Sequence, residues 1–125
     1  MKKAIFSATG AKPIGPYSPA TEANGFVFVS GQVGMDPAVN QMKEGIAAQT
    51  DQALKNIASI LAAAGLTMND VVKTTVFLAN IQDFGAMNEV YRQHFGEECP
   101  ARSAFQIACL PGSGALVEIE AIAAK

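Results

Sequence analysis

The segment Phe26-Val27-Phe28-Val29-Ser30 is apolar on both faces of an extended chain. A strand with one wet face alternates apolar and polar residues, whereas a strand that does not alternate needs cover on both sides. Few covers are available. Ile46, Leu54, Ile57, Leu61 and Ala64 recur at helical spacing between about Gly45 and Ala64, with Gln49, Gln52, Lys55 and Asn56 mostly off that stripe. Phe84, Met87, Tyr91 and Phe95 repeat the pattern, with Asp83 as a cap and Gly96 as a stop. Gly65 supplies the stop for the first helix. Val71–Leu78 (VVKTTVFL) is rich in β-branched residues and reads as a strand.

Asn24-Gly25 turns into the first strand, which runs through Gly31-Gln32 to Met35, where Asp36-Pro37 starts a turn. Residues 10–19 (GAKPIGPYSP) hold three prolines and two glycines and form an irregular segment. Two late strands, Ser103–Cys109 and Leu116–Ala123, are joined by Pro111-Gly112-Ser113-Gly114 and read as a hairpin.

The order strand, helix, strand, helix, strand, strand is an α+β pattern: a single mixed sheet with two helices on one face. No element remains for the other face, so a partner subunit is the economical cover. Composition agrees. Hydrophobic residues are 50% and charged residues 16%, against roughly 25% charged in typical globular chains. A length of 125 residues fits one domain spanning 1–125. Such a domain buries roughly 65% of its unfolded surface, enough for a core without metals or disulfides.

Charge argues against one class of main partner. Nine Lys+Arg against eleven Asp+Glu give −2, and at pI ≈ 5.3 no basic patch offers a footprint for nucleic-acid phosphates. No apolar run reaches membrane-spanning length. The start lacks a signal-peptide core, and Cys99 and Cys109 form no C-x-x-C pattern, so a reduced, cytoplasmic setting is expected. His94 is the only histidine and stands in no cluster with ligand spacing. It reads as a polar helix position, with nothing in the sequence placing Ser and Asp beside it for a triad. Gly112-Ser113-Gly114 lacks the Lys-Ser/Thr of a phosphate loop.

Three features could carry chemistry. Arg102 leads into the apolar strand Ser103–Ala108; its guanidinium suits a carboxylate ligand, or else a salt bridge at a surface or interface. In Leu116–Ile122 the carboxylates of Glu118 and Glu120 share one face, roughly 6.6 Å apart. Either that strand is simply half solvated, or a cleft desolvates a carboxylate until it can activate water. Tyr17, in Gly15-Pro16-Tyr17-Ser18-Pro19, is aimed at a pocket by a rigid loop or packs within an ordinary turn.

Together the chain resembles the RidA family, the YjgF-type reactive intermediate deaminases. The matching pieces are Ile14-Gly15-Pro16-Tyr17, Val29-Ser30-Gly31-Gln32, Ala63-Ala64-Gly65-Leu66, Val72–Phe77, Asp83-Phe84, Pro100-Ala101-Arg102-Ser103, Leu110-Pro111 and Val117–Ala123. They run in family order over nearly the whole chain. The resemblance implies a chorismate-mutase-like fold assembled as a homotrimer, with sites between subunits and no cofactor or metal. It implies hydrolysis of 2-imino acids, tautomers of enamines such as 2-aminoacrylate, to 2-oxo acids and ammonia.

On this resemblance Arg102 holds the substrate carboxylate and Glu118 positions the attacking water. Tyr17, Ser30, Gly31 and Asn88 line the same pocket. Many members have cysteine two residues after the arginine; here Ala104 offers only its backbone N–H. Two rivals are a small-carboxylate-binding module without turnover and an endoribonuclease or translation inhibitor.

Overall fold

Val117, Ile119, Ala121 and Ala123 are buried, while Glu118, Glu120 and Ile122 alternate with them on the other face. That period of two sets the last strand against the core on one side only. The computed structural model describes residues 1–125. Its strands are β1 (Lys3–Ile5), β2 (Ala20–Ala23), β3 (Phe26–Val33), β4 (Met35–Asp36), β5 (Gln41–Met42), β6 (Val71–Leu78), β7 (Ala101–Gln106) and β8 (Val117–Ala124). The main sheet runs β1-β2-β3-β8-β6-β7. Only β6 and β7 are parallel, and β4 and β5 form a separate ribbon.

Two helices, α1 (Ile46–Ala63) and α2 (Phe84–Phe95), cover one face, as the patterning requires. Leu54, Ile57 and Leu61 of α1 and Met87, Tyr91 and Phe95 of α2 close on Val27, Val29, Val76, Leu78, Val117 and Ile119. Gly65, at φ 77°, ends α1. There Leu66 N donates to Leu61 O and Gly65 N to Ala62 O, at 2.9 and 3.0 Å, so two otherwise orphaned carbonyls are satisfied.

No helix covers the other face. Phe26 and Phe28 of β3 are each 43% exposed, and Phe105 of β7 is 45% exposed. The two-sided apolar run of β3 is therefore half unsatisfied within one chain.

Several expectations are corrected. The late strands do not form a hairpin: β8 lies between β3 and β6, and β7 pairs with β6 at the sheet edge. The cause is burial. β8 has four fully buried core-facing positions, which only a central place satisfies, whereas no β7 residue is buried. β7 spans Ala101–Gln106 rather than Ser103–Cys109, so Arg102 sits inside the strand. Asp83 makes no side-chain cap; Asn80 accepts from Gln82 N at 2.9 Å in a short 3₁₀ turn ahead of α2. Gln49 and Asn56 are buried, because their amides bond loop and strand backbone. The short elements β1, β2, β4 and β5 are too brief for any period to mark.

Candidate functional site

Between Val29 and Gln32, β3 advances three residues while its partner β8 advances two, from Ala121 to Ile119. The extra residue is a bulge at Ser30-Gly31, a device that bends a strand and re-aims its side chains. Ser30 secures the bulge to the irregular N-terminal segment. Its hydroxyl donates to Ser18 O at 2.7 Å and its N–H to Pro19 O at 2.9 Å. One turn earlier the Tyr17 hydroxyl accepts from Ile14 N at 3.3 Å. The result is a cleft of about 1220 Å³ whose wall includes Tyr17, Ser30, Gly31, Glu118 and Glu120.

Glu118 leans over Gly31. A Cβ at residue 31 would stand 2.8 Å from the Glu118 Cδ and 2.9 Å from its Oε1. The missing side chain is the space the carboxyl occupies. Desolvation, and secondarily the negative charge of Glu120, push the Glu118 pKa above its ordinary 4.5. Both effects disfavour the ionised form and make the carboxylate more basic.

The approach to β8 is held by Gln49 of α1. Its Nε2 donates to Lys43 O at 2.9 Å and Gly114 O at 2.8 Å, and its Oε1 accepts from Leu116 N at 2.7 Å. Gly34 allows this, since any Cβ there would collide with the Gln49 backbone and side chain.

Arg102 lies elsewhere. It pairs with Thr74 across β6 and β7, whereas Glu118 pairs with Phe77 across β6 and β8. Thr74 and Phe77 project from opposite faces, so Arg102 is on the helix-covered face and Glu118 on the open one. The guanidinium Nη1 donates to Asn88 Oδ1 at 2.8 Å, with Cζ 4.7 Å from the Tyr91 ring centroid and 5.5 Å from that of Phe84. Ala104, on the same face, is partly buried against the core. One chain thus brings Tyr17, Ser30, Gly31 and Glu118 together, and separately Arg102, Asn88 and Ala104. It does not bring the two groups to each other.

His94 is the polar position on α2 that the sequence suggests, and it has partners. Its Nε2 meets Asp51 Oδ1 at 2.8 Å across the helix pair, and Lys55 Nζ meets Asp51 Oδ2 at 2.8 Å. The aromatic seat of Arg102, Phe84 and Tyr91, and the brace at Gln49 went unread in the sequence. Phe84 and Tyr91 carried a signal, the apolar stripe of α2, but it registered only as core. No group of three or more His, Cys, Asp or Glu is placed to hold a metal ion. No helix is long and apolar enough to cross a membrane.

The family pattern described as Endoribonuclease L-PSP matches residues 8–125. The chain belongs to that family, the RidA/YjgF proteins. It is 50% identical to a RutC family protein of Pyrococcus horikoshii, covering 100% of this chain and 99% of that one. It is 47% identical to the 2-iminobutanoate/2-iminopropanoate deaminase of Mus musculus, covering 100% and 93%. Among solved structures it is similar to E. coli TdcF with bound serine, at TM-score 0.92 and 36% identity, covering 98% of each chain.

Proposed function

We propose that this protein hydrolyses 2-imino acids to 2-oxo acids and ammonia, at sites completed between copies of the chain. The observation that carries the reading is Glu118, a desolvated carboxylate bent over Gly31 into a cleft, with its pKa raised toward the range of a working base. The deaminase name of the mouse relative supports the reaction class. The serine in the TdcF structure supports a small ligand with a carboxylate.

Arg102 holds the substrate carboxylate through charge-assisted hydrogen bonds. Glu118 takes a proton from water as the oxygen adds to C2 of the protonated imine, giving a carbinolamine. The same carboxyl returns that proton to nitrogen. The hydroxyl oxygen then forms the carbonyl as the C–N bond breaks; ammonia leaves with the bonding pair and the hydroxyl proton is released as ammonium or to solvent. Tyr17, Ser30, Gly31 and Asn88 shape the pocket, and Ala104 contributes its backbone N–H.

Arg102 and Glu118 lie on opposite faces of one sheet, so a complete site needs a second copy. The open face, with Phe26, Phe28 and Phe105 exposed, and the free edge at β7 are suited to a head-to-tail contact that closes as a ring. We assign three copies, in a chorismate-mutase-like assembly with sheets inward. The test generates 2-iminobutanoate with a dehydratase and follows 2-oxo acid release, alongside a sizing measurement. Wild type accelerates release as a trimer, and R102A abolishes it. No acceleration over buffer, full activity in R102A, or a monomeric active species would refute the assignment. Tight binding of a 2-oxo acid without turnover would make the protein a carboxylate-binding module instead.

A further inference from the structure

We propose that Asn88, Phe84 and Tyr91 form a seat that positions Arg102 while leaving its positive charge unneutralised for the ligand. This inference rests on the reading of Arg102 as the carboxylate grip. It adds what keeps that grip available.

The chain has two arginines, and the structure treats them differently. Arg92 pairs with Glu89 at 3.6 Å. Arg102, which is partly buried, takes part in none of the ion pairs. Its polar partners are the neutral Asn88 Oδ1 at 2.8 Å and, more weakly, Met87 Sδ at 3.9 Å. A carboxylate is one residue away in sequence, at Glu89. One step along a helix turns the side chain by about 100°, which sends that charge to Arg92.

The seat fixes the guanidinium from more than one side. The Tyr91 ring sits 4.7 Å from Cζ, and the ring is itself held by its hydroxyl, 2.7 Å from Thr74 Oγ1. The Phe84 ring lies 5.5 Å from Cζ. Aromatic faces attract a cation without neutralising it. The Asn88 carbonyl satisfies one of the five guanidinium N–H groups and the Met87 sulfur weakly takes a second, which leaves three. Aspartate at residue 88 would have nearly the same shape, but it would bring a full negative charge to the place where a ligand carboxylate must compete. Asn88 acts through Arg102, so it is a positioning residue.

The experiment compares wild type, N88D, N88L and R102A, each measured for kcat, KM and Tm with 2-iminobutanoate. N88D is expected to raise KM at least about tenfold, since hydrogen bonds to charged groups carry effects of roughly 10–100-fold, while its Tm stays at or above wild type. N88L loses the acceptor without adding charge, so its KM rises only a few-fold and its Tm falls. A structural role alone would move Tm and KM in the same adverse direction in both variants. The seat is overturned if N88D leaves KM within twofold of wild type, or if N88L raises KM more than N88D does. Full activity in R102A would overturn both the seat and the proposed function. An inactive R102A with an indifferent N88D would overturn the seat alone.

Discussion

Gly31→Ala isolates the placement of a single carboxyl group. Gly31 is not among the positive-φ residues, so alanine meets no backbone strain there. The new Cβ would stand 2.8 Å from the Glu118 Cδ, against roughly 3.5–4.0 Å for relaxed carbon contacts. The carboxyl must therefore retreat by about 0.7–1.2 Å. Displacing a catalytic group by about 1 Å costs on the order of 100-fold in rate, equivalent to about 2.7 kcal/mol of barrier. The fold should barely notice. An off-rotamer Glu118 costs roughly 0.5–1.5 kcal/mol, offset by about 0.4–1 kcal/mol from a stiffer unfolded chain, so Tm moves by no more than about 5 °C. The dehydratase-coupled assay should show kcat falling about 100-fold with KM much less affected, because the proposed Arg102 grip is untouched. A folded G31A protein with kcat within threefold of wild type would refute the reasoning that Glu118 acts from its position over Gly31.

Other perturbations test neighbouring links. Glu118→Gln should lower kcat by roughly 10²–10⁴-fold yet raise Tm at pH 7. The folded pKa of Glu118 lies above 4.5, so ionisation costs stability as pH rises through that window; Tm measured against pH should show the gain vanish below about 4.5. Asp51 behaves oppositely, because the hydrogen bond from Lys55, opposed by desolvation and aided by that from His94, sets its pKa below 3.8. Its contribution is present above 3.8 and lost as pH falls through the folded value. Asp51→Ala should cost about 0.5–1 kcal/mol at pH 7, discounted for exposure, with the deficit closing in acid titrations followed by circular dichroism. Gln49→Leu strands Lys43 O, Gly114 O and Leu116 N, and should cost about 2–4 kcal/mol by denaturant unfolding. It should also make residues 107–116 more sensitive to protease.

Local elements were legible in the sequence because their causes are local. The β-branched run at Val71–Leu78 is strand β6 to the residue, and the stripe from Ile46 to Ala64 with Gly65 behind it is α1. The alternation at 117–123 already set Glu118 and Glu120 together on one face. What escaped depends on partners distant in the chain. Nothing in residues 101–117 shows that β8 enters between β3 and β6, since that choice is made by which strand can bury four core positions. The same choice decides that Arg102 and Glu118 face opposite ways. Gln49 and Asn56 fall mostly off the apolar stripe, and their burial is not legible there because most of the backbone groups they satisfy are non-local: Gly114 O and Leu116 N for one, at separations of 65 and 67 residues, and Val33 O and Met35 O for the other, at 23 and 21.

The sheet itself is a wall between the guanidinium and the carboxylate that the proposed reaction needs. A solitary chain owns both ingredients and cannot bring them to one molecule of substrate. On the proposed reading, turnover depends on concentration as well as on sequence, and dilution past the point where copies separate extinguishes it.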